Sequence, residues 1–391
     1  MIQRDISPIL QKLTKQYPVV TITGPRQSGK TTLVRNLFNT KSYANLEHIE
    51  TREFAQNDPV GFLKKYPDGA IFDEIQRVPD LLSYIQVIVD EKQINGMFIL
   101  TGSSQFKLMD SITQSLAGRT AILRLLPFSI NELQNDYGEQ RPVDFIYKGF
   151  YPRIYDHDLS PTQALGDYYE TYVERDIRQL SQIQNLSLFQ KFVRMSAGRI
   201  GQLLNISSLA NDIGINHTTA RQWISLLEKS YIVFLLEPFH SNINKRLVKS
   251  PKLYFYDVGL ASYLLGIEIK SHIENHPLRG NLFENLIVCE FLKYRYNKGY
   301  KSNLNFYRDS SGNEIDILYS IAQHFIPIEI KAGETVTKSY FKGFNALNKV
   351  FHEYPYGKAI VYGGDRYDSQ SDVQILNIFK INDFLDDRNN I

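Results

Sequence analysis

Residues 24 to 31 read Gly24-Pro25-Arg26-Gln27-Ser28-Gly29-Lys30-Thr31 and satisfy G-x-x-x-x-G-K-[ST], a pattern that dictates local structure more tightly than any other stretch of the chain. An apolar run, Val19 to Thr23, leads into it and a helical segment, Thr32 to Phe38, follows, so the order strand, loop, helix is expected. Glycines at 24 and 29 let the backbone wrap with its N–H groups pointing inward, while the helix N-terminus adds a partial positive charge. A loop so built cradles phosphates. The candidate nucleotide-binding residues are Gly24, Pro25, Arg26, Gln27, Ser28, Gly29, Lys30, Thr31 and Thr32. Lys30 would neutralise the β- and γ-phosphates of ATP and the Thr31 hydroxyl would ligate Mg²⁺.

A partner motif strengthens the assignment over a chance glycine turn. Gly69-Ala70-Ile71-Phe72-Asp73-Glu74 is an apolar strand ending in two carboxylates, of which Asp73 would hold Mg²⁺ through water and Glu74 would orient or deprotonate the attacking water. Further strand candidates are Ser42 to Leu46, Met97 to Thr101 and Ile122 to Leu126, separated by amphipathic stretches. This alternation predicts a parallel sheet covered by helices on both faces. Ser103, just beyond the Met97 strand, is the candidate sensor of the γ-phosphate. Arg119, before the last strand, would either reach a neighbouring subunit's γ-phosphate or form a surface or intrachain ion pair.

At 391 residues the chain exceeds the usual size of a single hydrophobic core, so two to four domains are expected. A formal net charge of +2 provides no polycation field, and any nucleic-acid contact must come from local patches. Cys289 is the only cysteine and sits in an apolar stretch, which excludes a disulfide framework, suits a reducing cytoplasm and marks Cys289 as core. No apolar run is long enough to span a bilayer and the N-terminus lacks a signal-peptide core, so a cytoplasmic protein without membrane contact is expected.

The segments Gly24 to Leu33, Phe72 to Gln76, Leu100 to Ser104 and Leu116 to Arg119 together closely resemble the AAA+ ATPases of bacteria and archaea whose C-terminal half was long catalogued as a domain of unknown function. The resemblance covers nearly the whole chain. It implies an origin-recognition-like ATPase core followed by a winged helix and a restriction-endonuclease-like domain, and ATP hydrolysis by an oligomeric ring or a nucleic-acid-bound assembly. The expected fold class is therefore α/β: a P-loop AAA+ core with a parallel sheet (1–130), a helical lid (131–186), a winged helix (187–256) and a PD-(D/E)xK-like α/β domain (257–391).

Within the winged-helix segment, helices are expected over Leu188 to Leu204, Ser207 to Ile213 and Thr218 to Tyr231, with strands at Val233 to Leu236 and Leu253 to Tyr256 flanking the wing. Thr218, Thr219, Arg221 and Gln222 open the third helix, where a recognition helix presents side chains to a major groove, while Trp223, Ile224, Leu226 and Leu227 continue its apolar face. The wing supplies Lys245, Arg246, Lys249 and Lys252 as candidate phosphate contacts. Winged helices also serve protein contacts, and both uses stay open.

Beyond the wing, Glu284 lies in an apolar helix, and Glu314-Ile315-Asp316-Ile317 and Ile328-Glu329-Ile330-Lys331 alternate as strands. A helix glutamate, a strand aspartate and E-x-K resemble the PD-(D/E)xK nuclease fold, with Glu284, Asp316 and Glu329 as candidate metal ligands and Lys331 beside them. A degenerate fold kept for binding is the alternative. Three functions follow: a Mg²⁺-dependent ATPase that binds and remodels DNA, an ATP-driven metal-dependent nuclease, or an ATP-switched regulator working through protein contacts.

Overall fold

The structure, a computed structural model, describes residues 2–103, 112, 115–177, 183, 185–239, 249–351, 353–370 and 372–389. The chain divides into two compact units, one formed by Met1–Phe128, Lys229–Tyr231 and Arg295–Lys301, the other by Ser129–Glu228, Ile232–Tyr294 and Ser302–Ile391.

In the first unit, β1 (Val19–Thr23), β2 (Tyr43–Asn45), β3 (Ala70–Asp73), β4 (Phe98–Gly102) and β5 (Thr120–Arg124) form an all-parallel sheet in the order β2-β3-β4-β1-β5. Successive side chains point to opposite faces, and both faces are covered. Val19, Phe72, Phe98 and Leu100 enter one core cluster and Val20, Ile22, Ile71 and Ile99 the other. These strands therefore read as continuous apolar runs rather than alternating ones. The expected last strand, Ile122 to Leu126, lies two residues earlier, at Thr120–Arg124. It is an edge strand whose Ile122 is exposed, so apolar character marks its ends poorly.

The second unit carries a helical segment, including Ile130–Tyr137 with its Ser129/Glu132 capping box, and then three helices, Leu186–Ala197, Ile206–Ile213 and His217–Lys229. A hairpin of β6 (Val233–Leu236) and β7 (Lys252–Phe255) follows. The first helix stops at Ala197 instead of running to Leu204. Gly198 ends it, and the backbone from Gly201 to Leu204 instead hydrogen-bonds along β7. Gly214 adopts a left-handed conformation that closes the second helix, which accounts for the break expected there.

The C-terminal part is a mixed sheet in the order β12-β13-β11-β10-β9-β8, built from β8 (Leu304–Arg308), β9 (Glu314–Ile321), β10 (His324–Lys331), β11 (Lys358–Tyr362), β12 (Asp368–Gln370) and β13 (Val373–Leu376). The nineteen-residue helix Arg279–Asn297 precedes it. β9 and β10 pair antiparallel with Ile317 opposite Ile328. Among the described residues, no helix is long and apolar enough to cross a membrane.

Phe72 is fully buried and packs its ring against Phe62, Tyr66 and Phe98. Truncating such a ring loses transfer free energy and leaves a cavity. Phe72→Ala is expected to destabilise the first unit by about 3–5 kcal/mol, read as a lower urea midpoint.

Candidate nucleotide site and acidic cluster

The loop after β1 leaves the sheet between β4 and β5, where three of its residues take left-sided backbone angles. Gly24 has φ 153°, Gln27 60° and Gly29 88°. A Cβ at Gly24 would lie 2.0 Å from the Leu125 carbonyl oxygen, so only glycine lets the loop pass β5 at that distance. Arg4 braces the loop from outside. Its guanidinium donates to the Ser28 carbonyl at 2.8 Å and to the Leu126 carbonyl at 2.7 Å, and lies 4.8 Å from the Phe128 ring centre.

Lys30 starts the helix Lys30–Leu37 and is buried, donating from Nζ to the carbonyls of Gly24 (3.1 Å) and Pro25 (2.7 Å). Burial depresses its ammonium to about 8, although the charges of Glu74 and Asp73 pull the other way. The Ser28 hydroxyl is buried with no hydrogen-bond partner among the described residues. A loop with an unsatisfied donor, a desolvated cation and a helix N-terminus is chemically matched to bound phosphate oxygens.

Asp73 ends β3 and is buried. Its carboxylate accepts from Thr31 Oγ1 at 2.8 Å, from Tyr43 Oη at 2.9 Å and from Thr101 Oγ1. Tyr43 comes from β2 and Thr101 from β4, the two neighbours of β3, so the strand order itself assembles this set. The Thr31 hydroxyl and the Asp73 carboxylate fit the ligand and outer-shell positions of a Mg²⁺ ion. Glu74 follows in a left-handed conformation, φ 56°, uncommon for a side chain of its kind. Its carboxylate accepts from Ser103 Oγ at 3.1 Å and from Gln76 Nε2. Lys30, Thr31, Asp73, Glu74 and Ser103 thus meet at the C-terminal edge of one sheet.

Arg119 does not join them. Val19 pairs with Thr120 and Thr23 with Arg124, which puts Arg119 before β5, at the edge of the sheet opposite the phosphate loop. There its guanidinium pairs with Asp90, Nε to Oδ1 at 2.5 Å and Nη2 to Oδ2 at 2.8 Å. Five strand positions at about 3.3 Å each separate that edge from the loop, so Arg119 has no reach to its own chain's phosphates.

Four residues of the site escaped the sequence reasoning: Arg4, Tyr43, Gln76 and Thr101. Thr101 lies inside the Leu100 to Ser104 motif and Gln76 inside Phe72 to Gln76, so both were in view without a role. Tyr43 and Arg4 acquire theirs from strand order and from the course of the N-terminal segment, which leave no local signal.

In the second unit, Thr218, Arg221 and Gln222 are exposed on the helix His217–Lys229 and Thr219 is half-buried. Trp223 is buried edge-on against Phe189 and Phe192, and Cys289 is buried in the helix Arg279–Asn297. Lys245 and Arg246 lie outside the described residues. Lys252 corrects the expectation of a phosphate-contacting wing lysine. It sits in β7 with a buried side chain, 2.8 Å from Glu284 and 2.5 Å from Glu314. Burial alone would lower its ammonium, but Glu284, Asp316 and Glu314 outweigh that effect and hold it above the ordinary lysine range.

Glu284 and Asp316 do converge, with Glu314 as the third carboxylate of the group. Glu329 turns toward Lys331, which also lies 3.2 Å from Asp316. Burial and the nearby Asp316 push the Glu329 carboxyl up to about 8.

Residues 16–134 match the AAA domain family, while residues 139–271 and 279–381 match two families described as domains of unknown function, DUF8612 and DUF4143. The chain is 28% identical over 337 residues to an uncharacterized protein of Mycobacterium tuberculosis, a match covering 85% of this chain and 74% of that one. An uncharacterized protein of Methanocaldococcus jannaschii is 23% identical over 387 residues, covering 84% and 78%. Among solved structures, a Walker-type ATPase of Pyrococcus abyssi is similar with a TM-score of 0.41 and 15% identity, over 66% of this chain and 94% of that one. AMPPCP-bound DnaA of Aquifex aeolicus is similar with a TM-score of 0.30 and 13% identity, over 57% and 86%. The parallel sheet, its phosphate loop and the match over residues 16–134 define an AAA+ ATPase-like core. Behind that core, residues 279–381 carry the DUF4143 match.

A phosphate held against Lys30 would favour its protonated form and raise its pKa. Below about 8 the lysine is already charged. Above that value binding must take up a proton, and ATP affinity is expected to fall by up to about tenfold per pH unit. Titrations of a fluorescent ATP analogue on either side of this pH check it; an affinity that stays flat would remove Lys30 from the phosphates.

Proposed function

We propose that this protein is a Mg²⁺-dependent ATPase, cytoplasmic and oligomeric, whose nucleotide cycle rearranges a DNA-bound assembly. The observation that carries the ATPase reading is the 2.8 Å hydrogen bond from Thr31 to Asp73, with Glu74 adjacent in the chain and Lys30 one residue before Thr31. Thr31 and Asp73 would hold Mg²⁺, which supplies charge neutralisation at the β- and γ-phosphates when bound. Lys30 leaves the carbonyls of Gly24 and Pro25 for the phosphate oxygens, and the Ser28 hydroxyl gains the partner it lacks. Glu74 orients the attacking water and takes its proton. Ser103 and Gln76 hold the Glu74 carboxylate and link its position to the end of β4.

Arg119 completes this site from the neighbouring subunit of a ring. Its distance from its own loop and its exposed pairing with Asp90, which a competing phosphate can replace, support that role. Toward DNA, the exposed Thr218, Arg221 and Gln222, with Thr219, form the recognition face, and Lys245 and Arg246 contact phosphates.

Lys30→Ala is expected to abolish ATP binding. Glu74→Gln is expected to keep binding and to lose hydrolysis by at least about a hundredfold in a phosphate-release assay, in keeping with the loss of a general base. Turnover by Glu74→Gln at the parent rate would reject the role given to that residue. Arg119→Ala should bind ATP and not hydrolyse it, and mixing it with Lys30→Ala should restore activity. No recovery in mixed assemblies, with both variants folded and assembled, would place the arginine outside the neighbouring site. Arg221→Ala should weaken duplex DNA binding and reduce its salt dependence in gel-shift assays; unchanged affinity at low salt would assign the helix face to protein contacts.

A further inference from the structure

The carboxylates that match a nuclease metal centre already enclose a cation belonging to the chain. Among the described residues, one group of three carboxylates, Glu284, Glu314 and Asp316, has oxygens within 4.8 Å of one another. The ammonium of Lys252 ends in their midst, 2.5 Å from Glu314 Oε1, 2.8 Å from Glu284 Oε1 and 3.9 Å from Asp316 Oδ1, on a side chain only 2% exposed. Further donors engage the same carboxylates. Arg308 donates to Glu314 Oε2 at 2.8 Å, Tyr254 to Glu284 Oε1 at 2.5 Å, and the Ile330 backbone N–H to Asp316 Oδ2 at 2.7 Å. Lys331 bridges Asp316 and Glu329 from the other side.

Counting formal charges, the four carboxylates Glu284, Glu314, Asp316 and Glu329 meet the three cations Lys252, Lys331 and Arg308. The residual charge is at most minus one, less than a divalent ion would need for neutrality. Entry of such an ion would also expel a buried ammonium from its partners or hold two cations against each other in a poorly solvated place, and either outcome is unfavourable. The residues therefore do not fit the metal that the nuclease-like pattern implies.

We propose that Lys252 takes the cation's place, making this cluster a closed ammonium-centred site that binds no divalent metal and leaves the C-terminal domain unable to cut phosphodiester bonds. Lys252 instead ties β7 to Glu284 and to Glu314 of β9, all three within one compact unit. The ordered trio of carboxylates is retained as the shell of an internal ion pair. This inference does not depend on the ATPase assignment, because it concerns residues of the other unit.

The test is calorimetric titration of Mn²⁺ into the nucleotide-free full-length protein, compared with Glu284→Gln, together with nicking of supercoiled DNA in Mg²⁺ or Mn²⁺. The expected result is no heat attributable to this cluster, identical titrations for the two proteins, and no nicking. A Mn²⁺ site present in the parent and lost in Glu284→Gln, or nicking that Asp316→Asn abolishes, would overturn the proposal. Lys252→Met should gain a Mn²⁺ site absent from the parent. A folded Lys252→Met protein that still takes no ion would show that the lysine is not what excludes it, and if that variant fails to fold, the parent and Glu284→Gln titrations still decide.

Discussion

The first unit is organised around a buried carboxylate. An ionised Asp73 at the end of β3 is strongly disfavoured away from water unless donors surround it. Three hydroxyls do so, from Tyr43 on β2, Thr101 on β4 and Thr31 behind the phosphate loop. Each donor comes from a separate element, so the carboxylate is satisfied only when β2, β3, β4 and the loop are in place together. The same arrangement brings Glu74 beside Ser103 and leaves Lys30 desolvated beneath the loop. Fold and chemistry meet at one atom group.

The sheet and its motifs were readable because their signals are local. Val19 to Thr23 and Ala70 to Phe72 are buried on both faces and so lack the polar alternation that blurs strand boundaries elsewhere. The phosphate loop carries its own backbone demand at Gly24 and Gly29. What was not readable depends on long-range assembly. Tyr43 contributes because β2 lies next to β3, and Arg4 because an N-terminal guanidinium returns to the carbonyls of Ser28 and Leu126. Neither fact leaves a periodicity or a spacing behind. The helix Leu186–Ala197 ends at Gly198, short of the expected Leu204, and the segment from Gly201 to Leu204 is recruited by β7, a long-range pairing without a local signal.

Lys252 shows the limit most directly. In sequence it sits among Lys245, Arg246 and Lys249 and reads as one of four basic side chains in an exposed wing. In the structure it begins a buried strand and faces three carboxylates from a distant helix and strand. Charge in a loop is ordinarily solvated, and only the tertiary partners identify this one as an internal counter-ion. Glu284 and Asp316 converge in the structure, and packing alone brings Glu314 and Lys252 to them.

The account rests on Asp73 and Thr31 acting as a metal-binding pair at the nucleotide. Binding of Mn²⁺ in the presence of saturating ATP, followed by electron paramagnetic resonance in the parent and in Asp73→Asn, addresses this directly. The account predicts a nucleotide-dependent Mn²⁺ site in the parent whose affinity falls by about 10–100-fold in the variant, the usual consequence of losing an orienting carboxylate. Equal Mn²⁺ affinity in the two proteins would contradict it.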